Sequence, residues 1–180
     1  MFAFLAVYLV VAVPAWGWRR TVLYTVLGYA LAWSAEYSSI HNGFPFGPYT
    51  YLSAATLDRE LWIAGVPFMD SLSFTFLTFA GLQTARLALQ PLFVRRRWDI
   101  RWAQPATVTG WRTWLLAGLL TMGLDIIIDP ATLRGERWFL GRIYFYPEDG
   151  VYWGVPLANF AGWALLSWTI IGVFLLLDRW

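Results

Sequence analysis

Five apolar stretches, near residues 2–16, 21–37, 61–85, 111–128 and 152–177, leave this chain few architectures to choose from. A helix crossing a hydrocarbon core needs about 20 residues at 1.5 Å each, because every backbone N–H and C=O must find its partner within the segment. All five stretches reach or approach that length. The first is short and contains Pro14, but it lacks the basic leader and small-residue cleavage site of a secretory signal and so reads as a span. With 59% hydrophobic and 13% charged residues, the chain is far from the balance of a soluble domain. The reading is an all-α polytopic membrane helix bundle of about five transmembrane helices.

All thirteen basic residues are Arg. If the spans alternate, Arg19, Arg20, Arg86, Arg95, Arg96, Arg97, Arg101, Arg112 and Arg179 fall on one side, and Arg59, Arg134, Arg137 and Arg142 on the other. The Arg-rich side is cytoplasmic. That predicts an N-terminus outside, a C-terminus in the cytoplasm, and outer loops at 38–60 and 129–151. Such anchoring accounts for the net charge of +2 without a nucleic-acid partner. The absence of Lys removes a retinal Schiff base, and the absence of Cys removes disulfides, iron–sulfur clusters and thiolate nucleophiles. His41 alone cannot build a bis-His haem or multi-His metal site in one chain, which leaves a carboxylate site open.

The chain also resembles itself. Gly65-Val66-Pro67-Phe68-Met69-Asp70 precedes Gly154-Val155-Pro156-Leu157-Ala158-Asn159 by 89 residues, and the same offset sets Glu36 opposite Asp125. This predicts an extra helix at 2–16 followed by two parallel two-helix repeats, about 21–85 and about 111–177, in a single membrane domain, with a shared site between them. Proline within a helix removes a backbone hydrogen bond, so helices 3 and 5 are expected to kink or start afresh near Pro67 and Pro156.

Acids inside apolar spans are the strongest chemical signal, since an ionised carboxylate at bilayer depth costs at least about 2.5–3.5 kcal/mol. Glu36, Asp70 and Asp125 qualify. Asp70 is expected about 13 Å along its helix from the outer end, and no basic residue lies at helical contact spacing from Asp70 or Asp125 in its span. Asp125 and Asp129, four apart, share a helix face. Asp129 directly precedes Pro130 and reads mainly as a structural helix-end residue. Glu136, Glu148 and Asp149 read as solvated loop charge. A cluster of Glu36, Asp70 and Asp125 in low dielectric is expected to hold a proton at neutral pH. Trp33, Tyr37, Phe44, Trp62, Phe68, Trp138, Tyr144, Tyr146 and Tyr152 are among the surrounding aromatics. Most belong to the interfacial belt or to packing, and a subset facing the acids would stabilise a carbocation. An acid, aromatic walls and a membrane setting fit chemistry on an isoprenoid double bond.

Gly43-Phe44-Pro45-Phe46-Gly47-Pro48-Tyr49-Thr50-Tyr51 after Glu36, then Gly65-Val66-Pro67, Asp125 with Asp129-Pro130, and Tyr152 through Trp163 together resemble the membrane carotenoid-biosynthesis proteins. That family includes γ-carotene 1′,2′-hydratases and bisanhydrobacterioruberin hydratases. The resemblance spans about residues 28 to 170, in a chain shorter than those hydratases. It implies a prokaryotic cell membrane, a carotenoid or other polyisoprenoid lipid as substrate, and no cofactor; no metal ligand is assigned. The implied reaction adds water across the terminal C=C of an acyclic ψ-end. Glu36, Asp70 and Asp125 would supply the proton donor and the base, and Asn159 would orient them. Phe46, Tyr49, Tyr51, Trp62, Trp153, Phe160 and Trp163 would bind substrate. The segment 41–51 is then expected to cap the outer end of the repeat interface, admitting the end group and one water. Two other outcomes share these features: a lycopene-type cyclase, in which an internal alkene captures the cation, and a non-catalytic carotenoid-binding or transport protein.

Overall fold

A computed structural model describes residues 2–52, 60–89, 92–96, 99–102, 109–135 and 141–177. Arg59, Arg97, Glu136, Arg137, Trp138 and Arg179, assigned above to loops and interfaces, lie outside the described residues. The chain is all-α, with short strand pairs only in its connections. The helices are α1 (Phe2–Trp16), α2 (Trp18–Asn42), α3 (Phe68–Leu89), α4 (Trp111–Thr132) and α5 (Leu157–Leu177). Of these, α4 and α5 are long and apolar enough to cross a membrane, and α1 is a shorter apolar helix. The strands are β1 (Thr50–Tyr51), β2 (Trp62–Ile63), β3 (Val66–Pro67), β4 (Leu92–Arg96), β5 (Asp99–Trp102) and β6 (Tyr144–Phe145), paired antiparallel as β1·β6, β2·β3 and β4·β5.

Helix α3 packs on α2 and α4, and α5 packs on α4 and α2, so four helices close a ring. Helix α1 lies outside it against α2 and α3, burying Tyr8, Ala12 and Trp16, a stripe at every fourth position. Trp16 stacks on Phe174 with ring centroids 5.0 Å apart and meets Phe79 edge-on at 4.7 Å. Deep in the ring, the Tyr24 hydroxyl donates to Thr78 Oγ1 at 2.8 Å, which donates to the Phe74 carbonyl at 2.6 Å. These polar groups therefore enter the interior already paired, avoiding the cost of burying them alone. Gly81 lets α3 approach α4 closely, since a Cβ there would collide with Thr121 Oγ1 and lie 2.8 Å from the Ala117 carbonyl.

The starts of α3 and α5 depart from the apolar stretches. Residues 61–67 and 150–156 form tight hairpin turns, so α3 begins at 68 and not at 61, and α5 at 157 and not at 152. Both turns place two successive residues at positive φ: Ala64 at 50° and Gly65 at 82°, then Trp153 at 54° and Gly154 at 87°. Positive φ at both central residues is the requirement of the type I′ turn, one of the two-residue hairpin turns whose twist matches that of the strands. Pro67 and Pro156 stand immediately before the first helical residue, where a missing N–H costs no helix hydrogen bond. The helices thus start afresh at both prolines, and equivalent positions of the two junctions are 89 residues apart. Asp70 consequently sits in the first turn of α3, closer to its end than the expected 13 Å.

This arrangement gathers the acids. Glu36 is late in α2, Asp70 and Asn159 open α3 and α5, and Asp125 and Asp129 are in the last two turns of α4. All five lie at the end of the ring away from Arg19, Arg20, Arg86 and Arg112.

Candidate active site

A cavity of about 190 Å³ lies among these helix ends. Two helix stripes face it at matching intervals of three, four and seven residues: Asp70, Ser73, Phe74 and Leu77 from α3, and Asp125, Ile128, Asp129 and Thr132 from α4. Glu36 enters from α2, Asn159 and Trp163 from α5. Among the described residues, no Arg or His lines it.

The hydrogen bonds divide the acids into two pairs. On one side the Ser71 hydroxyl donates to Glu36 Oε2, and the Tyr51 hydroxyl donates to Asp70 Oδ2 at 2.8 Å. On the other, Asn159 spends both protons of its Nδ2, one on Asp125 Oδ2 at 2.7 Å and one on Asp129 Oδ2 at 2.8 Å. Asp129 Oδ2 also accepts from the Tyr146 hydroxyl at 2.8 Å. Glu36, Asp125, Asp129 and Asn159 are all buried. Among the described residues, no three acidic or histidine side chains converge closely enough to hold a metal ion.

The aromatic roof comes from both halves of the chain. Gly43 ends α2 in the left-handed conformation, with φ 78° and its N–H on the Ser39 carbonyl, and this turns residues 44–51 back over the cavity. The Phe46 N–H is held by the Ser39 hydroxyl at 3.1 Å. Strand β1 then pairs with β6, Tyr51 opposite Tyr144 and Thr50 opposite Phe145, which sets Tyr49, Tyr51, Tyr144 and Tyr146 around the cavity mouth. Burial pushes the hydroxyls of Tyr49, Tyr51 and Tyr146 up, reinforced by Glu36, Asp70 and Asp129 respectively. They therefore stay protonated: Tyr51 and Tyr146 donate to Asp70 and Asp129, and Tyr49 donates to the Tyr51 hydroxyl at 3.3 Å.

The structure brings together Glu36, Asp70, Asp125 and Asn159, and lines the cavity with Phe46, Tyr49, Tyr51 and Trp163. Three other expected lining residues lie elsewhere. Trp62 stands edge-on behind Tyr51, with centroids 5.7 Å apart. Phe160 is buried and packs edge-on against Tyr152, with centroids 5.6 Å apart. Trp153 forms the tip of the second hairpin, 69% exposed, with the Arg134 guanidinium 5.3 Å from its ring. It is not among the residues that line the cavity.

Asp129 corrects the sequence reading in the other direction. Helix α4 continues through Pro130 to Thr132, so Asp129 is interior to the helix and faces the cavity beside Asp125. The i, i+4 spacing carried that signal, and the Asp-Pro pair masked it. Ser71, Thr132 and Tyr146 have no distinguishing sequence pattern. Glu148 and Asp149 are exposed, as solvated loop charges are.

Over residues 1–179 the chain matches a family model described as carotenoid biosynthesis protein. No curated protein and no solved structure matches it.

Proposed function

Because the chain belongs to the carotenoid biosynthesis protein family, we propose that it is a cofactor-independent carotenoid hydratase, adding water to the terminal C=C of an acyclic ψ-end. The observation that carries this reading is a set of four carboxyls, Glu36, Asp70, Asp125 and Asp129, around one cavity with aromatic walls and, among the described residues, no basic side chain. Phe74 and Trp163 form one wall as a stack with centroids 4.0 Å apart, and Phe46 extends it.

A carboxyl O–H of this set gives its proton to the less substituted alkene carbon, and the π pair forms the new C–H bond. The tertiary cation left on the neighbouring carbon is short-lived and faces the ring walls, whose π-faces stabilise a desolvated cation. Water attacks that carbon, and a second carboxylate takes the released proton, so no net charge or electron is left over. Asn159 holds Asp125 and Asp129 in fixed relation during this transfer.

The same reading makes α1 to α5 five spans of a prokaryotic cell membrane, with the N-terminus and the acid cluster toward the outside and the C-terminus in the cytoplasm. It also makes the two hairpin-to-helix halves descendants of one duplicated unit. The matching turns at Ala64-Gly65 and Trp153-Gly154 and the matching helix starts support that descent.

The test is expression in a lycopene-accumulating bacterium followed by mass analysis of the pigments. Hydration adds the mass of one water. A product isomeric with lycopene overturns hydration in favour of cyclisation. An unchanged pigment profile, insensitive to Glu36→Gln, Asp70→Asn and Asp125→Asn, overturns catalysis in favour of a carotenoid-binding or transport protein.

A further inference from the structure

The cavity changes character from one side to the other. Glu36, Asp125, Asp129 and Asn159 are buried and Asp70 is half-buried beneath the Tyr51 hydroxyl, whereas Phe4 is 53% exposed and Leu77, Ile128 and Ile143, all apolar, are half-buried. Asp70 and Leu77 are seven residues apart on one face of α3, a rise of about 10 Å. The cavity therefore extends well inward from the outer helix ends, toward Phe76 and the first turn of α1. Its volume of about 190 Å³ is below the roughly 300–1,000 Å³ of pockets that enclose drug-sized ligands. A long polyene cannot be swallowed whole, and most of it must stay outside.

On three sides the described residues pack closely against the cavity. Toward the arginine end, α3 and α4 meet at Gly81, Ala117 and Thr121. Toward the outer loops, the β1·β6 pair and its tyrosines lie across the mouth. On the α5 side, Trp163 stacks on Phe74, and Gly162 sits so close to Pro45 and Phe46 that a Cβ there would lie 2.8 Å from the Pro45 carbonyl. What remains is the apolar side past Phe4, Phe76, Leu77 and Ile128. There Phe4 stacks on Phe76 with centroids 6.1 Å apart, bridging α1 to α3.

We propose that Phe4, Phe76, Leu77 and Ile128 form a lateral portal to the bilayer, through which a polyisoprenoid inserts only its end group while its hydrocarbon tail remains among the lipid chains. Helix α1, outside the four-helix ring, supplies the outer post of this portal. The choice of occupant rests on the proposed carotenoid reading. The portal itself rests on the continuity of this apolar passage with the acid-lined cavity.

Leu77→Trp and Ile128→Trp narrow the passage from its two sides, with Leu77→Phe used should the larger ring prevent folding in detergent. Each protein is placed in lipid nanodiscs with lycopene or with a short acyclic terpene alkene bearing the same end group. Retained lycopene and hydration of both alkenes are measured. Narrowing should lower lycopene retention, and lower the ratio of long-chain to short-chain hydration, by at least about tenfold, the effect of excluding a few buried methylenes. Unchanged retention and an unchanged ratio in folded variants overturn the portal. A wild-type protein that retains lycopene but hydrates neither alkene overturns the hydratase reading alone. The portal is then judged on retention, which the variants must lose.

Discussion

Asn159→Leu replaces a buried amide by an apolar side chain of similar length and removes two hydrogen bonds at once. The donors to Asp125 at 2.7 Å and to Asp129 at 2.8 Å both disappear. Asp129 keeps the Tyr146 hydroxyl at 2.8 Å, whereas Asp125 keeps no hydrogen-bond donor among the described residues. A hydrogen bond to a charged partner contributes about 1.5–3 kcal/mol net. Two such bonds set a ceiling near 6 kcal/mol, and because they share one side chain and Asp129 retains a donor, the expected loss is about 3 kcal/mol. For a chain of this size that lowers the melting temperature by roughly 6–12 °C, measured by tryptophan fluorescence in detergent. If the same interaction holds the base in place during turnover, hydration falls about 100-fold. A double-mutant cycle with Asp125→Leu isolates the pair. Removing Asp125 should cost at least about 1.5 kcal/mol less in the Asn159→Leu background than in the native one. Strict additivity would mean that the Asn159–Asp125 bond contributes nothing, and the bridging role would have to be abandoned.

Asp129→Asn is expected to lower hydration about 10²-fold or more, as Asp125→Asn does; turnover near the native level in membranes would return Asp129 to a purely structural role. Tyr146→Phe and Tyr51→Phe each remove one donor from a carboxyl and should lower kcat about five- to tenfold with little change in KM. A change confined to KM would show that the two hydroxyls serve binding instead. Gly81→Ala forces a methyl group against Thr121 and the Ala117 carbonyl and should destabilise the fold by about 1–3 kcal/mol, read as a lower melting temperature. Unaltered stability would show that α3 and α4 yield freely at this contact.

Much of the helical plan could be read from apolarity alone, because a bilayer-length apolar run has few alternatives. The helix starts could not. Leu61-Trp62-Ile63-Ala64-Gly65-Val66 is as apolar as the helix it precedes, and hydropathy is blind to the sign of φ. The residues that decide the turn are Gly65 and Gly154, each following a residue that also takes positive φ, and neither Ala64 nor Trp153 advertises that conformation. The prolines were informative in the opposite way, since a missing N–H is tolerated at a helix start and both helices begin there. In the site, the acids stood out because charge in an apolar run is costly. Ser71 and Tyr146 did not, because a hydroxyl there costs little and only the fold reveals which carboxyl it serves.

The difference between the two halves matters more than their likeness. At the 89-residue offset, Asn159 stands where the first hairpin-to-helix junction has Asp70, and the hydrogen bonding of the two sides differs accordingly. Glu36 and Asp70 are each met by a hydroxyl, from Ser71 and Tyr51, and a hydroxyl both accepts and donates, so a proton lost from that wall has a path for replacement. Asp125 and Asp129 share one amide nitrogen, a donor that never gives up its protons at neutral pH; Asp129 also has the Tyr146 hydroxyl, whereas Asp125 is held by the amide alone among the described residues. On the proposed mechanism, the hydroxyl-served wall suits the acid that must be reprotonated every cycle. The amide-bridged wall suits the carboxylate that must keep one geometry while water attacks. Two identical walls would supply two acids or two bases, and an addition across a double bond needs one of each.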